Sequence, residues 1–209
     1  SDSYGHDQYV TGISAASLGG ILWCPEIRSA KNSREWINRM HTTCLSPMAM
    51  LNAWASKTKP WTYEESTDAI RRTIQLRMKL LPYLYTAFAR YNQDGIPPVR
   101  SMLLETGEAK AQAKSETRKL DSEVDPYGDG FHQKITEDNT LYMFGPDILV
   151  APFINSQIER KVNLPSGNWY DFYTGKLAGN GNTIVVTAVQ TNDMPPLFVR
   201  GGSLIPMLK

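Results

Sequence analysis

The side chains of this sequence that could do chemistry are few and scattered. One is an aspartate in SDSYG, Ser1 to Gly5. An aspartate between small polar residues is by default the solvated start of a loop, and its neighbours alone give Asp2 no reactive role. Cys24 and Cys44 sit inside apolar stretches, where a buried free thiol is commoner than a disulfide or a nucleophile. His6, His41 and His132 are far apart, and none stands in a metal-ligand spacing with the cysteines or carboxylates. No metal site is expected. DPYGDG at 125–130 is acidic enough to suggest calcium, yet it lacks the alternating ligand spacing of a calcium loop and reads as a plain turn.

These residues must be positioned by the elements around them. QYVTGISAASLGG has small and apolar residues at helical spacing and ends in glycines. It leads into GILWCPEI, a compact apolar run that reads as a buried strand. NSREWINRMHTTCL reads as a second helix, with Ser33 as cap and Trp36, Ile37, Met40 and Cys44 on one stripe. SPMAMLNAW is a short apolar segment that ends in polar and aromatic side chains. From Thr62, TYEE supplies a capping box between Thr62 and Glu65. A long helix follows, with Ile70, Ile74, Arg77, Met78, Leu81, Tyr85 and Phe88 on its expected buried stripe, a kink at Pro82 and a stop at NQDG.

After Gly95 the texture changes. IPPVRSMLLE is extended, 105–137 is a polar, charge-mixed excursion, and every later apolar run is short and punctuated by turn residues. The fold class is therefore α/β followed by all-β, with the change near 95–105. The length of 209 residues and the 41% hydrophobic content suit a folded chain with a sizeable core. A net charge of +1 with scattered basic residues leaves no footprint for nucleic acid or an anionic membrane. The longest apolar run, ILVAPFI at 148–154, is strand-length, well short of the roughly 20 residues of a membrane helix. There is no N-x-S/T sequon, and nothing in the sequence assigns a compartment.

Four long words, LRMKLLPYLYTAFARYNQDGIPPVRSMLLE, LYMFGPDILVAPF, LPSGNWYDFYTG and PPLFVRGGSLIPM, stand in an order and spacing that resemble the C-terminal half of glycoside hydrolase family 31. That family contains α-glucosidases, α-xylosidases and α-glucan lyases. The resemblance covers nearly the whole chain, the long 105–137 stretch being the main departure. It implies residues 1–104 as the last βα units of a TIM-type (β/α) barrel, 105–137 as an excursion or linker, and 138–209 as an antiparallel β-sandwich. A barrel missing its first strands has an unpaired edge and an uncovered apolar face, so the chain is expected to be one piece of a longer or cleaved polypeptide. Expressed alone, it is expected to be insoluble or molten.

The resemblance also implies a chemistry. A retaining glycosidase uses one carboxylate as nucleophile and a second, roughly 5–5.5 Å away, as acid and then base. In the family the proton donor lies about two dozen residues before a further acidic residue in a glycine-rich strand, and SDSYG stands that far ahead of WCPE. On that match Asp2 is the acid/base and Glu26 takes the later acidic position, with a pKa at Asp2 raised by the nucleophile's charge and by aromatic burial. The nucleophile belongs to an earlier strand. Two departures fall where the family binds the non-reducing sugar: Met50 and Asn52 where many members show arginine and histidine, and Glu26 where many show aspartate. Asn52 can still donate to and accept from a sugar hydroxyl.

Trp23 and Trp54 are read as stacking on a sugar face, with ordinary barrel packing as the equal alternative. Arg28 has three readings: a partner of Glu26, a partner of Asp2, or a solvated loop side chain. Trp169, Tyr170 and Phe172 in NWYDFY suggest a carbohydrate platform, but strand alternation favours core packing. The implied partners are an α-linked oligosaccharide and the N-terminal fragment of the same enzyme, with no cofactor. A lyase, a transglycosylase, α-galactosidase or α-xylosidase specificity, and a non-catalytic sandwich module remain as alternatives.

Overall fold

A computed structural model of the chain describes residues 5–22, 26–52, 58–106 and 138–209. The first half is helical. α1 (His6–Ala16) buries Tyr9, Val10 and Ile13, and α2 (Ser33–Cys44) buries the expected stripe of Trp36, Ile37, Met40 and Cys44. The cap of α2 is Asn32, one residue before the expected Ser33; its side chain accepts from the Glu35 backbone N–H at 2.9 Å. Asn32 adopts the extended backbone that a cap needs, whereas Ser33 already sits inside the helix.

The long helix expected from Thr62 is two helices, α3 (Thr67–Lys79) and α4 (Leu81–Asp94), preceded by a 3₁₀ turn at Glu64–Ser66. Thr62 does not cap it. Its hydroxyl accepts from the Lys59 backbone N–H at 2.7 Å and closes a turn upstream instead. The break falls at Leu80, two residues before Pro82, because the proline ring lacks an N–H and crowds the preceding turn. The buried stripe also differs from expectation. Ile70 is buried as expected, but Ile74, Met78, Leu81 and Tyr85 are exposed, while Ala69, Thr73, Leu76, Leu80, Tyr83 and Ala87 are buried. Both rows have helical spacing; the buried row faces α2 from α3 and, through Tyr83, faces β2 from α4.

The second half is antiparallel. A six-stranded sheet in the order β1-β2-β3-β8-β5-β6 combines β1 (Val99–Ser101), β2 (Tyr142–Phe144), β3 (Ile148–Val150), β5 (Asn168–Asp171), β6 (Leu177–Asn180) and β8 (Leu197–Arg200). Among the described residues its partner layer is the pair β4 (Glu159–Asn163) and β7 (Thr183–Thr187). Val99 to Ser101 pair with Phe144 to Tyr142, so the chain joins this sheet directly after α4. A short helix, α5 (Met102–Thr106), follows β1.

Both faces of the large sheet are covered, which explains apolar runs such as LYMF and ILVA that do not alternate with polar residues. Tyr142, Phe144, Ile148, Val150 and Leu197 pack with the helices, whereas Met143, Leu149, Trp169 and Phe198 pack with Val162, Leu164 and Val186. In NWYDFY, Trp169 is fully buried and Phe172 packs half-buried against the helix-side core, as the alternation indicated, whereas Tyr170 is half-buried outside both core clusters. The helices are locked to the sheet at Gly145, whose φ of 65° suits glycine. A Cβ there would lie 2.4 Å from the Tyr83 ring. Tyr83 in turn donates to the Phe144 carbonyl at 3.1 Å and accepts from the Asp147 N–H at 2.8 Å.

A second lock is polar. The Asn155 N–H donates to His6 Nδ1 at 2.9 Å, so the ring proton is on Nε2, which lies 2.9 Å from the Thr42 hydroxyl. Asn38 donates to the Asn155 and Gln157 carbonyls at 2.8 and 2.9 Å, and His41 Nε2 donates to the Asp193 carbonyl at 3.0 Å. Burial holds His6 well below the ordinary imidazole range and lowers His41 to about 3. Both rings are therefore neutral in the folded protein at neutral pH and become protonatable near 6.5 on unfolding. Their contribution is complete above about 6.5 and is lost as pH falls below it, for His41 down to about 3, by up to about 1.4 kcal/mol per pH unit per histidine. The urea midpoint at pH 5.5 is accordingly expected below that at pH 7.5. Histidine resonances of the folded protein that titrate near 6.5 for both rings would contradict the assignment.

Candidate active site

Ile27 and Leu51 form a parallel bridge. The Ile27 N–H donates to the Met50 carbonyl at 3.2 Å, and the Asn52 N–H donates to the Ile27 carbonyl at 2.9 Å. Of the expected strand GILWCPEI, the described residues form one bridge, at the buried Ile27, while Ile21 is exposed and outside any strand. Ile27 and Leu51 point into the core between helices and sheet. Strand alternation sends Glu26, Arg28, Met50 and Asn52 the other way.

That alternation brings three polar side chains together. Glu26 Oε1 accepts from Asn52 Nδ2 at 2.8 Å, from Arg28 Nε at 2.9 Å and from Arg28 Nη2 at 2.6 Å. Of its three readings Arg28 is thus a partner of Glu26, while Asp2 lies outside the described residues. The Asn52 hydrogen bond and then the Arg28 guanidinium hold the Glu26 carboxyl below the usual carboxylate range. The side chains are 29% and 21% exposed for Glu26 and Arg28, so the group opens to solvent rather than into the core.

The surrounding loops are pinned. The strand containing Ile27 leads to α2 and that containing Leu51 leads to α3, so the polar group lies at the carboxyl ends of a parallel pair, where β/α folds place their sites. Tyr63 donates to the Ala30 carbonyl at 2.9 Å and ties the two βα loops together. Arg77 donates to the Cys44, Ser46 and Pro47 carbonyls at 2.7, 2.7 and 3.1 Å, which anchors the chain entering Leu51.

Of the residues expected at the site, Glu26 and Asn52 meet; Asp2, Trp23 and Trp54 lie outside the described residues, as do Cys24, His132 and DPYGDG. Sequence reading did not find the Glu26–Asn52 hydrogen bond, because no local signal links positions that far apart. Cys44 is a buried free thiol pushed up to about 12 by burial, and so it is no nucleophile. Among the described residues no group of His, Cys, Asp and Glu could hold a metal ion, and no helix is long and apolar enough to cross a membrane. A cavity of about 480 Å³, lined by residues including Arg90, Asp94, Arg100 and Glu105, shares none of its lining with Glu26 or Asn52.

Helices that follow a parallel bridge, and then an antiparallel β-domain, define the end of a (β/α) barrel joined to a C-terminal sandwich. The profile of the glycosyl hydrolases family 31 TIM-barrel domain matches residues 3–87, and that of the glycosyl hydrolase family 31 C-terminal domain matches residues 95–205. The chain belongs to glycosyl hydrolase family 31. It is 32% identical over 153 residues to an alpha-xylosidase of Saccharolobus solfataricus, covering 72% of this chain and 18% of that protein. With the neutral alpha-glucosidase C of Mus musculus it shares 30% identity over 205 residues, 95% of this chain and 20% of the relative. A dextranase of Flavobacterium johnsoniae solved with glucose superposes with a TM-score of 0.71 at 26% identity, covering 98% of this chain and 24% of that one. The chain thus spans about a fifth of the length of these curated relatives.

Proposed function

We propose that the chain is part of a retaining α-glycoside hydrolase acting on α-linked glucosides and oligosaccharides by double displacement. The observation that supports this reading most directly is the Glu26–Asn52 hydrogen bond of 2.8 Å at the carboxyl ends of a parallel pair, in a chain of family 31. In this reading Asp2 protonates the leaving glycosidic oxygen while a nucleophilic carboxylate, on a segment upstream that is the chain's partner, attacks the anomeric carbon. Asp2 then takes a proton from water as it displaces the carboxylate, and the two inversions return the original anomer. Glu26 accepts from hydroxyls of the non-reducing sugar, Asn52 donates or accepts beside it, and Trp23 and Trp54 stack on the sugar face.

Product analysis of the complete enzyme on maltose tests the reaction. The expected first product is α-glucose, seen by proton NMR before mutarotation. An anhydro-sugar would make the enzyme a lyase, since the same covalent intermediate would then lose a proton by elimination instead of admitting water. Oligosaccharides in place of glucose would make it a transglycosylase, β-glucose would exclude double displacement, and the absence of turnover on any α-glycoside would favour a supporting module.

A further inference from the structure

We infer that Arg28 is a positioning residue for sugar recognition, fixing the Glu26 carboxylate so that its Oε2 is the oxygen offered to a substrate hydroxyl. The inference rests on the proposed role of Glu26 in binding the sugar. Arg28 stands two residues after Glu26 on one strand, and Ile27 between them is buried and hydrogen-bonded through both its N–H and its carbonyl. The main chain under the pair is therefore tied to the Leu51 strand by two hydrogen bonds. From it the guanidinium places Nε at 2.9 Å and Nη2 at 2.6 Å on the same oxygen, Oε1, rather than spreading over both.

Asn52 adds its Nδ2 to that oxygen at 2.8 Å from the neighbouring strand. Three donors exhaust the two lone pairs of Oε1, while no bond from another described residue ends on Oε2. The carboxylate is gripped at one oxygen by a charged pair and a cross-strand amide, and its rotation is stopped. A carboxylate so held loses less rotamer freedom on binding than a free glutamate, which is how a supporting residue contributes to affinity without touching the ligand. The planar fork of arginine supplies two donors from one group; lysine supplies a point charge that can reach only one of the two directions.

The test is steady-state kinetics of the complete enzyme on its α-glycoside, with Arg28→Met, Arg28→Lys, Glu26→Gln and the Glu26→Gln/Arg28→Met double variant. Arg28→Met is expected to raise KM by about tenfold to a hundredfold with kcat within about threefold, and Arg28→Lys to recover part of the loss. The double variant is expected to be no worse than Glu26→Gln alone, because the arginine's effect on the sugar passes through that carboxylate. If Glu26→Gln raises KM and Arg28→Met does not, or if the two losses add, Arg28 has no positioning role. If Glu26→Gln itself leaves KM unchanged, the sugar-binding reading of Glu26 fails, a separate result. A merely structural role for Arg28 would lower the melting temperature and leave KM unmoved in the molecules that remain folded.

Discussion

Asp2→Asn in the complete enzyme is expected to lower kcat/KM on maltose by about two to four orders of magnitude, the usual worth of a positioned proton donor. Maltose has a poor leaving group, an alkoxide unless it is protonated as the bond breaks, and an amide cannot supply that proton. An aryl glycoside with an acidic phenol leaves without help, so the first step on such a substrate is expected to be nearly unaffected. The second step still lacks its base, and kcat on the activated substrate falls while KM falls with it, as glycosyl-enzyme accumulates. Azide, which attacks without needing a base, is expected to restore turnover and yield the glycosyl azide. Loss of only a few fold on maltose would remove Asp2 from the acid/base role. Equal losses on maltose and on the activated substrate, with no azide effect, would point instead to misfolding around the site.

Trp169→Ala is expected to destabilise the β-domain by about 3–5 kcal/mol, the range for deleting a large buried aromatic side chain. The indole is fully buried, and its Nε1 donates to the Pro165 carbonyl at 3.0 Å. The Arg200 guanidinium lies 4.9 Å over the ring and is also paired with Glu105, whose other oxygen meets Arg100 at 2.6 Å. Removing the ring opens a cavity between the two layers and strips one face of contacts from this chain of charges. Trp169→Phe fills part of the space and is expected to cost less, with the Pro165 carbonyl losing its donor. Hydrogen exchange over 168–171 and 197–200 and urea unfolding measure the effect. A platform for carbohydrate would give the opposite pattern, unchanged stability with a raised KM, and that outcome would overturn the packing assignment.

Much of the architecture is legible in local patterns. The α2 stripe, the left-handed glycine stop after Asp94, the short β runs and the change of texture after Gly95 each follow from spacing or turn chemistry within a dozen residues. The errors have equally local causes. Ser33 and Asn32 are both good caps, and only the backbone conformation at Asn32 decides between them. On α3 and α4 two apolar rows compete, and the one bearing Ile74, Met78 and Tyr85 is exposed because α2 packs on the other side of α3 and β2 on the other side of α4.

The candidate site divides in the same way. Residue types alone determine that Glu26 can accept, that Asn52 can do both, and that Arg28 must find an anion or water; the family words determine which carboxylates to consider. None of this says that Arg28 meets Glu26, or that Asn52 reaches the same oxygen. Those contacts depend on the parallel bridge between Ile27 and Leu51, whose partners are separated by a whole helix and its loops. Periodicity reports which way a side chain points on its own element. It is silent on which element lies beside it, because strand pairing is set by the summed burial of distant residues, and the three-way grip on one carboxylate oxygen exists only once that burial has brought the two strands together.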